Sequence, residues 1–328
     1  MSQVRIYDFM GLRKAAIAFS AILLVVSIAS LAMKGLVFGL DFTGGTQIEL
    51  KFEQPANVEA VRSALSNAGM NNPVVAHFGS DYDILLRLQE IPDTRTSVDG
   101  AQDAAPDAAP AAEENGLEQR IHSALAELGN DYQIQRMDYV GPQVGDELRE
   151  QGGLGMLAAL IVVMLYVAIR FQYKFAIGSV VALIHDVIIT LGFFSITGLE
   201  FDLTVLAAVL AVVGYSLNDT IIVFDRIREN FRAVRGSSPA QIINESISQT
   251  LWRTVNTSFT TMLVLAALYF VGGELIHNFS IALLVGIFIG TYSSIYVAAN
   301  LLMMMKIEAR DLMEERIDPE GAEFDGLP

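Results

Sequence analysis

Residues 214–230 read GYSLNDTIIVFDRIREN, an apolar half followed by a charged exit, with Asn218 and Asp219 in the middle. A carboxylate at membrane depth costs about 2.5–3.5 kcal/mol on insertion scales and is a functional-site hypothesis by default. An ion or proton site is one reading. A polar contact between helices, with both side chains bonding a neighbouring backbone, is the other. Each requires the stretch to lie in a membrane span, which the rest of the chain can test.

The chain has 328 residues, 52% hydrophobic and 18% charged. Soluble domains run at about 45–50% and 25%. The excess is gathered into runs of about 18 residues or more, the signature of membrane-crossing helices. Six spans are predicted: 15–33, 152–169, 175–197, 203–224, 254–271 and 279–305. Ser30-Leu31-Ala32 resembles a signal-peptide cleavage site. The first run is nevertheless read as an uncleaved span, because it exceeds the roughly 7–15 residues of a signal-peptide core.

Basic residues mark the cytoplasmic side of such proteins. Arg5, Arg13 and Lys14 lie in the N-terminal segment 1–14, and Arg170 and Lys174 lie between the second and third spans. The amphipathic segment 225–253 carries Arg226, Arg228, Arg232, Arg235 and Arg253. The tail 306–328 opens with Lys306 and Arg310 and then turns acidic. Loops 198–202 and 272–278 have no basic residue. The pattern predicts both termini in the cytoplasm. It also predicts a large domain, 34–151, outside it.

In that domain acids outnumber basic residues by more than two to one. Alternation predicts strands over 46–52, 74–78, 83–88 and 132–140. Helical spacing predicts helices over 58–68, with Asn57 as N-cap, and over 116–128. The order β-α-β-β-α-β is that of a ferredoxin-like α+β sandwich. Residues 91–115, which include DAAPDAAPAAEEN, are expected to be a disordered insert.

The formal charge of −16 comes mainly from this domain and the tail. There is no cysteine, which excludes disulfides, thiolate zinc sites and cysteine nucleophiles. The four histidines show no metal spacing, and no phosphate-binding G-x-x-x-x-G-K-[ST] occurs. Neither an enzyme, a cofactor, a metal site nor nucleic-acid binding is expected.

The other candidate residues follow from span positions. Arg253, at the start of the fifth span, could reach Asp219 by extending along its helix, or could be an ordinary interfacial anchor. Thr257 and Thr260 follow it in a polar run, TVNTSFTT, that could line a hydrated face or bond between helices. His185-Asp186 in the third span could relay protons or secure the bundle. Gly286, Gly290 and Ser294, at four-residue intervals, predict close helix packing. The arginines of 226–235 could bind lipid headgroups or a partner, or form a solvated helix face.

Several stretches together resemble the SecF family of the bacterial SecDF protein-export complexes. They are GLDFTGGTQIEL (39–50), VGPQVGDEL (140–148), HDVIITLG (185–192), VVGYSLNDTIIVFDRIREN (212–230), TLWRTVNTS (250–258) and GTYSSIYVA (290–298). The resemblance implies a resistance-nodulation-division architecture, of which six helices are one half and a SecD-like chain the other. It implies residence in the bacterial inner membrane. It also implies use of the proton-motive force, with protons as coupling ion, to assist late preprotein translocation through the SecYEG channel. The family's span-four aspartate and span-five arginine fall on Asp219 and Arg253, with Asn218 beside the former. A proton-driven small-molecule exporter of the same superfamily and a passive translocase scaffold are the alternatives.

Overall fold

The computed structural model describes residues 5–70, 73–78, 80–88, 109–234, 236–273 and 276–307. Its elements in chain order are α1 (Arg13–Met33), β1 (Val37–Phe38), α2 (Leu40–Thr43), β2 (Gly45–Phe52), α3 (Val58–Asn67), β3 (Val74–Phe78), β4 (Ser80–Leu88) and α4 (Ala109–Leu125). Then follow β5 (Tyr132–Val140), α5 (Pro142–Arg170), α6 (Tyr173–Thr197), β6 (Glu200–Phe201), α7 (Leu203–Ala233), α8 (Pro239–Val271) and α9 (His277–Met304).

Six of these helices are long and apolar enough to cross a membrane: α1 and α5 to α9. They divide into two sets. Half or more of the apolar stretches of α6, α7 and α9 is buried within the chain, but less than a fifth of those of α1, α5 and α8. The inner three form the core of the bundle. Glycine makes their contact close. A Cβ at Gly286 of α9 would collide with the Val212 side chain of α7, and one at Gly290 would stand 3.0 Å from Ser216 Cβ. Such contacts replace the hydrophobic drive that lipid does not supply.

The helices outrun their apolar stretches. α5 begins at Pro142 rather than at the expected Gly152, with proline at its first turn where no N–H is needed. The segment 225–253, expected to stand as a unit, is divided between the end of α7 and the start of α8. Ser238 and Gln241 close a reciprocal capping box there, which fixes the new helix start. Polar helix ends carry no hydropathy signal, so the apolar runs marked only the middles of these helices.

Between α1 and α5 the chain forms a four-stranded antiparallel sheet in the order β3-β4-β2-β5. Two helices, α3 and α4, contribute to its core. This is the ferredoxin-like order. Ile48, Leu50, Ile84, Leu86, Leu65 and Ile121 are fully buried together, each contributing about 1.5–3 kcal/mol. Asn57 caps α3 by accepting from the Glu59 and Ala60 N–H groups. Of the expected disordered insert 91–115, residues 91–108 lie outside the described residues. Residues 109–115 are the first two turns of α4, a correction that follows from the helix-forming run AAEE there.

A second, two-stranded sheet ties the domain to the bundle. β1 pairs in parallel with β6, which lies in the α6–α7 turn. The Asp41 carboxylate accepts the Leu203 N–H, 3.1 Å, at the first turn of α7. Arg87 of β4 is ion-paired with Glu200. Gly44 and Gly45 both have positive φ, 71° and 132°. Their turn seats against α5, where a Cβ at Gly145 would stand 2.8 Å from Gly44 N.

Candidate functional site

Asp219 lies about 24 Å along α7 from Leu203, at a rise of about 1.5 Å per residue. Its carboxyl is 1% exposed and sits where α7, α8 and α9 meet. Ser258 Oγ of α8 approaches Oδ2 at 3.4 Å but lies nearer the Thr254 carbonyl, at 2.9 Å. A hydroxyl has one hydrogen to donate, so the carboxylate competes with the backbone for it. Thr291 of α9 in turn faces Ser258 Oγ at 2.7 Å. Asp219 Oδ1 and the nearby-helix group Thr254 Oγ1 have no partner among the described residues. The carboxyl is thus enclosed and incompletely hydrogen-bonded.

Asp186 of α6 has the opposite surroundings. Its Oδ1 pairs with His185 Nδ1 at 2.9 Å. Its Oδ2 accepts from Ser216 of α7 at 2.5 Å and from Ser293 of α9 at 2.7 Å. Three buried groups therefore converge on one carboxylate and join the three inner helices. Ser216 and Ser293 were not singled out by sequence reasoning. Ser216 lies opposite Gly290, so the small-residue stripe already marked their neighbourhood.

The remaining polar candidates of α7 and α8 face outward. Asn218 is exposed although Asp219 next to it is buried, since adjacent helical residues point about 100° apart. Arg253, Thr257 and Thr260 of α8 are exposed as well, as is Asn256. The two threonine hydroxyls donate to carbonyls of their own helix. No ion pair among the described residues joins Arg253 to Asp219. Arg253 lies five residues before Ser258, about 7.5 Å along the axis. Ser294, one turn after Gly290, is fully buried and donates to the Thr291 carbonyl of its own helix.

These features define a multi-pass membrane protein with a six-helix bundle, a ferredoxin-like extramembrane domain and a buried acidic site. Comparison with known proteins agrees. Residues 120–308 match the family model for the protein export membrane protein SecD/SecF C-terminal region, and residues 29–56 match the SecD/SecF GG motif. The protein translocase subunit SecF of Vibrio alginolyticus is 48% identical over 98% of this chain and 96% of its own length. That of Pseudomonas aeruginosa is 49% identical over 93% of this chain and 94% of its own. The crystal structure of the translocon-associated SecDF of Thermus thermophilus superposes with a TM-score of 0.78 at 36% identity. The match covers 93% of this chain but only 40% of that one. The chain belongs to the SecF family of protein translocase subunits.

Proposed function

We propose that the chain is one half of a proton-coupled motor that assists late steps of protein export across the bacterial inner membrane, with Asp219 as the group that takes up and releases the proton. One observation carries this reading: Asp219 is enclosed by three helices and yet lacks a full set of hydrogen-bond partners. Burial of an ionised, underbonded carboxylate is costly, and a proton or a nearby cation relieves it. Arg253 is the nearby cation. It lies within about two turns, and its long side chain can swing between the surface and the carboxyl. Protonating Asp219 weakens that attraction and frees α8 to shift against α7.

The outward polar residues support a partner. Asn218, Arg253 and Asn256 are exposed at bundle depth, where contact with lipid is expensive. A SecD-like half covering them removes that cost, and the SecDF neighbour is a longer chain that contains such a region's worth of additional sequence. The protons move down the gradient, no other cofactor takes part, and the termini with their basic residues face the cytoplasm. The channel served is SecYEG and the cargo an unfolded preprotein.

Movement has a direct route outward. α7 runs unbroken from Asp219 to the Asp41 carboxylate, and β6 just before it pairs with β1 of the extramembrane domain. One charge crossing 100 mV supplies about 2.3 kcal/mol, enough to bias an equilibrium of a few kcal/mol. The test is Asp219→Asn in export-competent vesicles. Loss of the proton-driven component with ATP-driven export retained is the expected result. Wild-type proton-driven rates would overturn the proposal.

A further inference from the structure

A groove of about 320 Å³ runs between α1, α6 and α9 on the opposite side of α6 and α9 from Asp219's contact with α8. Its walls are apolar: Ile17, Leu24 and Ile28 of α1 face Ile184 and Ile188 of α6. Along α1 it extends from Ala16 to Ile28, about 18 Å at 1.5 Å per residue. Half of a membrane's hydrocarbon layer is about 15 Å thick. The groove is thus one leaflet long. Spread over that length, the space open to atom centres is roughly 4 Å across, so with atomic radii added the groove is roughly 7 Å wide, enough for a methylene chain at ordinary carbon contact distances. A helix, about 10–12 Å in diameter, does not fit. Water has no reason to enter walls of this kind.

The groove is not wholly apolar. Asn300 of α9 lines it, is 4% exposed, and has no partner for either its Nδ2 or its Oδ1 among the described residues. An unmet buried group of this kind destabilises the fold unless a ligand supplies its partner. Asn300 lies four residues before the end of α9, about 6 Å inside it. At that same end Arg13 and Lys14 open α1, and Lys306 follows α9. Neither Arg13 nor Lys14 is ion-paired among the described residues. The order along the groove is therefore cations, one amide, then an apolar slot.

We propose that this groove holds one acyl chain of an anionic glycerophospholipid from the leaflet at the basic end of the bundle. Asn300 Nδ2 donates to the ester carbonyl, and Arg13 and Lys14 meet the phosphate. Part of the chain passes against the ring of His185, whose Nε2 also lacks a partner among the described residues, and covers that side of the His185–Asp186 pair.

The test uses the full chain reconstituted in phosphatidylethanolamine vesicles with phosphatidylglycerol carrying a photoreactive group midway along one acyl chain. Adducts mapped by peptide mass spectrometry are expected at residues 17–28 and 297–304, at least fivefold above residues 154–169 of the lipid-exposed α5. Ala21→Trp fills the slot and is expected to lower the first two signals fivefold with the α5 signal unchanged. Asn300→Leu is expected to lower them several-fold. Arg13→Gln with Lys14→Gln is expected to abolish the preference for the anionic lipid over phosphatidylcholine. Equal labelling of α1, α9 and α5 in the wild type means bulk lipid and overturns the proposal, whether or not any variant folds. Displacement by free oleate as effective as by phosphatidylglycerol would also overturn it, in favour of a fatty-acid site.

Discussion

Asp186 and Asp219 are each 1% exposed in the middle of the same bundle, yet one is saturated and the other is not. Asp186 receives His185, Ser216 and Ser293 at 2.5–2.9 Å. Asp219 has a single contested hydroxyl at 3.4 Å and an oxygen with none. A carboxylate whose partners are all in place is held by them, and changing its charge breaks a structure. One with open positions can exchange partners with less loss. The difference teaches that burial alone does not mark a working acid; the state of its hydrogen bonds does.

The sharpest way to break this comparison is to make the same change at both positions. Asp219→Asn is expected to reduce proton-driven export by more than tenfold and to leave the thermal unfolding midpoint unchanged or higher, because a neutral amide is easier to bury. Asp186→Ala is expected to destabilise the detergent-solubilised chain by about 3 kcal/mol or more, since it strands three buried groups. Equal stability losses at the two sites, measured by denaturation of both variants, would erase the distinction. Ser216→Ala sharpens the Asp186 side, with an expected loss of about 1.5–3 kcal/mol for a hydrogen bond to a charged group. Gly286→Val, which pushes α9 off Val212 one turn beyond Ser216, is expected to cost about 1–3 kcal/mol by overpacking. Asn57→Ala serves as a control remote from both acids: a loss of about 1 kcal/mol in the stability of the extramembrane domain, with export unchanged.

Much of this architecture was legible. Six apolar runs are hard to disguise, and the β-α-β-β-α-β order showed in alternating strands such as TQIELKF and in an Asn57 placed to cap a helix. What escaped notice depends on long-range geometry. β1 and β6 are two residues long each, too short for any periodicity. The extent of α5 and α7 beyond the apolar layer was hidden because polar helix ends look like loops. At the candidate site Asp219 was conspicuous because a charge in an apolar run is rare. Its relation to Asn218 was not, since the rotation of α7 decides which of two neighbours faces inward. Ser216 and Ser293 are unremarkable as residue types. Only the close crossing of α7 and α9 at Gly290 aims them at Asp186.

The clasp between Asp41 and Leu203 joins residues 162 positions apart, and that separation sets a timetable. At about 5–20 residues per second of synthesis, roughly 8–30 s pass between the appearance of the acceptor and that of its donor. The sheet of the extramembrane domain contains every strand from β2 to β5 and can close during that interval. β1 cannot, because its partner β6 has not been made. For those seconds the newborn chain carries a finished domain on an unfastened stem. A strand of only two residues is a poor template for pairing with a stranger, so its brevity protects the wait.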